Sequence, residues 1–148
     1  MPRILLIDDS ASALQVMEMV LTEAGHEVVA CIDAQRAIQL MPSGSFDLVI
    51  TDIYMPEADG FEVLTESRRV CPKVPVIAMS AVTGQRSMLA TAKRLGADQT
   101  ILKPCSRGDL LDAVAAVLAG DFRRHGSLRN SRYDREPPPR ALTGETSR

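Results

Sequence analysis

Hydrophobic residues in this chain fall into two alternating patterns. Short, continuous apolar runs bounded by acids or turn residues recur along it: 3–7, 27–31, 48–50, 75–79 and 98–102. Runs of this length, rich in Ile, Val and Leu, predict strands buried on both faces. Between them, apolar residues recur every three or four positions, as amphipathic helices require. Leu14, Met17, Leu21 and Ala24 follow Ser10, a good helix cap, and end at Gly25. Asp33 opens a second helix, which runs to about Met41 and stops at Pro42 and the Ser43-Gly44-Ser45 turn. A third helix is expected over 60–70, with Phe61, Val63 and Leu64 inward. A fourth carries Met88, Ala92 and Leu95 inward and stops at Gly96. The last is capped by Ser106 or Asp109, turns Leu110, Val114 and Val117 inward and ends near Gly120.

Five strand-then-helix units in strict alternation predict an α/β domain over residues 1–120, with a doubly wound (βα)5 parallel sheet. Beyond residue 120 the pattern stops. Phe122, Leu128, Tyr133, Ala141 and Leu142 are scattered without period among arginines and Pro137-Pro138-Pro139. Such a segment cannot bury enough surface to offset its ordering entropy, so 121–148 is expected to be a disordered tail. It is also too short and too polar for an output domain.

Composition narrows the class. At 45% hydrophobic but 3% aromatic, the core must be aliphatic. The net charge of −2 is unevenly spread: residues 1–120 hold 10 basic and 15 acidic side chains, and 121–148 hold 7 arginines against 4 acids. An acidic body argues against nucleic-acid binding by the domain. Three cysteines, Cys31, Cys71 and Cys105, show no ligand spacing and read as reduced thiols of a cytoplasmic protein. No stretch reads as a signal peptide or reaches membrane-spanning length. His26 and His125 lack partners and are expected at the surface. Leu111 and Leu118, seven apart, fit either a partner or homodimer face or ordinary packing.

The chemistry gathers at the carboxyl ends of the strands, which share one edge of a parallel sheet. The first strand delivers Asp8 and Asp9, the third Asp52, the fourth Ser80 and the fifth Lys103. Three neighbouring carboxylates repel one another and demand a cation. An all-oxygen set suits a hard ion, and Mg²⁺ (or Mn²⁺) is the usual choice beside phosphate. Lys103 offers a point charge to phosphoryl oxygens and Ser80 a hydroxyl. Asp52 is thus a candidate carboxylate nucleophile for phosphoryl transfer. Asp8-Asp9-Ser10 in place of a glycine-rich loop argues against nucleotide binding. An aspartate-nucleophile phosphatase of the haloacid dehalogenase type would want an acid where Tyr54 stands.

In ordered combination, Asp8-Asp9, Asp52 with Met55-Pro56 and Asp59-Gly60, Ser80-Ala81, and Lys103-Pro104 resemble the receiver domain of bacterial two-component response regulators. The resemblance covers residues 1–120 and implies a flavodoxin-like strand order, 2-1-3-4-5. It implies that Asp52 is the phosphoacceptor. Asp9, Asp52 and the Tyr54 backbone carbonyl would hold Mg²⁺, with Asp8 acting directly or through water. Ser80, Lys103 and the backbone of Tyr54 and Ala81 would hold the phosphoryl group, and Lys103-Pro104 would be a cis bond. The partners implied are a histidine kinase, or a histidine phosphotransfer protein in a phosphorelay, with an unidentified downstream protein. No chemistry is implied beyond the chain's own phosphorylation and slow autodephosphorylation. One position departs. Where the family usually carries Tyr or Phe, three residues before the lysine, this chain has Thr100. Either Thr100 substitutes in a weaker form or the output lies elsewhere.

Overall fold

The computed structural model describes residues 1–53, 60–81 and 86–120; the side chains of 81 and 86–89 lie outside that description. The expectations for 54–59, for 82–85 and for the 121–148 tail therefore fall outside the described residues. Ten elements alternate without exception: β1 (Arg3–Ile7), α1 (Ala11–Glu23), β2 (Glu27–Cys31), α2 (Ala34–Leu40), β3 (Leu48–Asp52), α3 (Gly60–Val70), β4 (Val76–Ala81), α4 (Arg86–Arg94), β5 (Gln99–Lys103) and α5 (Arg107–Ala119). The strands form one parallel sheet in the order β2-β1-β3-β4-β5.

Strand side chains alternate between the two faces, so each continuous apolar run feeds two cores. Ile4, Leu6, Ile50 and Met79 pack with Leu14, Met17 and Leu21 of α1 and Leu110, Val114 and Val117 of α5. Leu5, Ile7, Val49 and Ala78 pack on the other face with residues of α2, α3 and α4. α1 and α5 therefore share one side of the sheet. Leu111 and Leu118 are half-buried against that first core.

The helix ends follow capping chemistry. Ser10 accepts from the Ala13 amide and Asp33 from the Gln35 amide. Ser106 and Asp109, which the sequence offered as alternative caps of α5, form one reciprocal capping box. Gly25 and Gly96 take positive φ, 95° and 108°, after α1 and α4. After α4, Gly96 N donates to Lys93 O and Ala97 N to Ala92 O, a Schellman closure.

That closure corrects one expectation. Leu95 is 42% exposed, because the apolar position in this motif belongs to Ala97, which is buried. His26 occupies the equivalent place after α1, with its amide donating to Leu21 O, and is half-buried rather than at the surface. Two strand boundaries also move. β4 continues through Ser80 to Ala81, and β5 starts at Gln99. Asp98 precedes the strand, with its carboxylate accepting from the Val76 amide at 2.8 Å and from Arg68 at 3.2 Å.

Candidate functional site: an acidic cluster bridged by a lysine

The ends of β1, β3 and β5 bring titratable side chains to the carboxyl edge of the sheet: Asp8 and Asp9, Asp52, and Lys103. Asp8 directly follows β1, and its amide still donates to Cys31 O at 3.2 Å, as though the strand ran one residue further. Its Oδ1 accepts from the Ser10 amide at 2.9 Å, which ties the carboxylate to the start of α1. Asp8 is fully buried, whereas Asp9 is exposed. Asp52 is the last residue of β3 and 7% exposed, so it sits in the floor of the site with a small opening to solvent. The strand's exit is fixed by the Ile53 amide, which donates to Met79 O at 2.9 Å, and by Thr51 Oγ1, which donates to Asp52 O at 2.9 Å.

Carboxylate oxygens of Asp8, Asp9 and Asp52 all lie within 4.8 Å of one another. Lys103 at the end of β5 reaches into this group. Its Nζ donates to Asp52 Oδ2 at 2.9 Å and to Asp8 Oδ2. Burial alone would pull the Lys103 ammonium down. Hydrogen bonds to Asp8 and Asp52, together with their charges, outweigh that and hold it above the usual lysine value. Lysine is therefore charged throughout the physiological range. Three carboxyl groups stand against one ammonium, with Asp8 and Asp52 buried and Asp9 at the solvent edge. Such a set of hard oxygen donors fits a small divalent cation.

Ser80 is fully buried in β4, one residue beyond the Asp52–Met79 register pair, and Ala81 pairs with Lys103 across β4 and β5. The Lys103–Pro104 peptide is cis. Thr100 is half-buried and pairs with Ala78, whose side chain belongs to the core under α2, α3 and α4. Tyr54, assigned a backbone role from the sequence, lies outside the described residues, and for Ala81 only the strand backbone is described. The structure thus brings together Asp8, Asp9, Asp52 and Lys103 by direct geometry, and places Ser80 and Ala81 on the adjoining strand.

Two contributors were not legible as such. Gly60 sits so close to the strand exit that a Cβ there would lie 2.2 Å from Asp52 O and 2.5 Å from Ile53 Cα. Its amide donates to Ile53 O at 3.0 Å. The sequence marks it as the start of the third helix and, with Asp59, as part of the family resemblance, but not as a close contact of the strand exit. Thr51 reads as one more β-branched strand residue, and its bond to Asp52 O has no sequence signal.

Comparison with known proteins agrees with this geometry. The chain matches the family described as response regulator receiver domain over residues 4–115. Chemotaxis protein CheY of Bacillus subtilis is 36% identical over 117 residues, covering 78% of this chain and 97% of that protein. Transcriptional regulatory protein PrrA of Mycobacterium tuberculosis is 33% identical over 130 residues, covering 88% of this chain and 54% of that protein. The protein-glutamate methylesterase/protein-glutamine glutaminase of Trichodesmium erythraeum is 39% identical over 119 residues, covering 78% of this chain and 34% of that protein. This chain therefore spans about a third to a half of the length of such relatives, and nearly all of the chemotaxis protein. Among solved structures, a response regulator receiver domain protein from Clostridium thermocellum superposes with a TM-score of 0.76 at 27% identity, over 82% of this chain and 97% of that one. A CheY-like receiver domain protein from Methanospirillum hungatei gives 0.76 at 25% identity, over 83% and 98%. With the family match running from the first strand into the last helix, and the strand order and acidic edge in agreement with it, this chain belongs to the response regulator receiver domain family of two-component systems.

Proposed function

We propose that the chain accepts a phosphoryl group on Asp52 from a histidine kinase and signals through protein contacts that depend on that modification. The observation that carries this reading is the bridging of Asp8 and Asp52 by Lys103 beside a third carboxylate, Asp9. In the transfer, an Asp52 carboxylate oxygen forms a bond to phosphorus as the donor's P–N bond breaks. The electron pair of that bond stays with the imidazole nitrogen. Lys103, already held at Asp52, carries the charge that meets the incoming phosphoryl oxygens, and the Ser80 hydroxyl is the neighbouring donor. Asp8, Asp9 and Asp52 would hold Mg²⁺, with the Tyr54 carbonyl as a further ligand. A bound divalent ion supplies the positive charge that lets an anionic nucleophile approach an anionic donor.

A second reading is favoured by one observation. Thr100, half-buried on β5, has no ring to swing between surface and core. That supports a relay in which Asp52 passes its phosphoryl group on to a histidine phosphotransfer protein.

Incubation with a small acyl phosphate and Mg²⁺, read by intact mass, tests the first reading. One phosphoryl adduct is expected in wild type and none in Asp52→Asn. An unmodified wild type, or equal labelling of Asp52→Asn, refutes it. Movement of label from the phosphorylated chain onto a histidine phosphotransfer domain would decide for the relay.

A further inference from the structure

Charge is polarised across this fold. Residues 1–53, which build β2, β1, β3, α1 and α2, hold two arginines against eight acids. Residues 60–120 hold eight basic side chains against five acids. The outer side of α1 lies in the acidic half and is apolar at its centre. Val16 and Met19, three apart, are 55% and 54% exposed. Every charge on α1 is negative: Glu18 and Glu23, with no lysine or arginine in the helix.

Residues 121–133 have the complementary pattern. Phe122 is followed by Arg123 and Arg124, Leu128 by Arg129, and Tyr133 is preceded by Arg132. This segment leaves the end of α5, the helix that shares a core and a sheet face with α1. The two helices are also linked by Arg107 Nη1 and Glu23 Oε2 at 2.6 Å. Reach is ample. Thirteen residues extend to about 43 Å, against about 20 Å for the length of α1. The basic half of the domain repels such a segment, and the acidic half attracts it.

We infer that residues 121–133 of the chain dock on the exposed face of α1, with their apolar side chains over Val16 and Met19 and their arginines beside the acidic rim. Because the segment is tethered, its effective concentration at α1 is in the millimolar range, so modest contacts hold it there.

The docking itself is tested on the unphosphorylated full chain by methyl NMR of the methionines. The Met19 methyl shift is expected to differ at low salt between wild type and a variant with Arg123, Arg124, Arg129 and Arg132 all changed to Gln. The two should converge at about 1 M salt, where the screening length falls to about 3 Å. Met17, which faces the core, should not move in either. Val16→Lys, a surface change that repels the arginines, should abolish the salt dependence of Met19. Identical Met19 shifts at low salt in wild type and the Gln variant would overturn the inference. So would a Met19 shift that follows protein concentration together with dimer formation in sedimentation, since a second copy would then hold the face.

Discussion

Replacing Gly60 by alanine sets two effects against each other, and the structure says which wins. Gly60 is the first residue of α3, a helical position that alanine ordinarily takes well. Helix propensity favours alanine over glycine by about 0.5–1 kcal/mol. Against that, the added methyl would stand 2.2 Å from Asp52 O and 2.5 Å from Ile53 Cα, where ordinary contact begins at 3.4 Å. Both obstacles are backbone, so no side-chain rotation relieves them. The strand exit would have to retreat by about 1 Å, against the Ile53–Met79 hydrogen bond that fixes it. Overpacking of this kind costs about 1–3 kcal/mol and more when backbone must move. The net expectation is a loss of about 2 kcal/mol, or roughly 6–10 °C in Tm for a domain of this size. A displacement of about 1 Å at the nucleophile should also slow phosphoryl uptake about 10²-fold. Gly108→Ala is the internal comparison. Its Cβ would meet nothing nearer than Ser106 Oγ at 3.8 Å, so the propensity gain of about 0.5–1 kcal/mol should appear undiminished. Thermal denaturation of both variants, with the phosphorylation rate of each, checks the pair. A Gly60→Ala protein as stable and as reactive as wild type would refute the close-approach argument.

Lys103→Met leaves the buried Asp8 and Asp52 carboxylates without their shared cation. In chelator it should destabilise the fold by about 2–3 kcal/mol, and Mg²⁺ should recover part of that in urea titrations. Since the folded pKa of Lys103 lies above the usual lysine value, its stabilising contribution is complete below pH about 10.4 and is lost as pH rises through the folded value. The stability gap between wild type and Lys103→Met should therefore stay flat around neutral pH and close only on the alkaline side, by denaturation at a series of pH values. Asp98→Ala removes the acceptor of the Val76 amide and should cost about 1–3 kcal/mol. As Asp98 precedes β5 at the edge opposite the acidic cluster, phosphorylation of the folded variant should proceed at the wild-type rate.

What the sequence alone determined was the order and type of the elements. Strands buried on both faces are apolar along most of their length, and helices buried on one face repeat every three or four. Those two periods are properties of the backbone and survive any arrangement of the elements in space. Caps such as Ser10, Asp33 and Ser106 were legible for the same reason, because a helix end is satisfied by residues within a turn of it. The candidate cluster was legible through the sheet rule: once Asp8, Asp52 and Lys103 stand at the ends of parallel strands, they share an edge. Tertiary structure decided what depends on distances between residues far apart in the chain. That Lys103 bridges Asp8 and Asp52, that Asp8 is buried while its neighbour Asp9 is exposed, and that Leu95 yields its core place to Ala97 all follow from packing. The tightest constraint at the site, the contact of Gly60 with the Asp52 carbonyl, has no side chain to announce it. A glycine reads the same in sequence whether it turns the chain or makes room for another strand's backbone, and only the folded contact distinguishes the two.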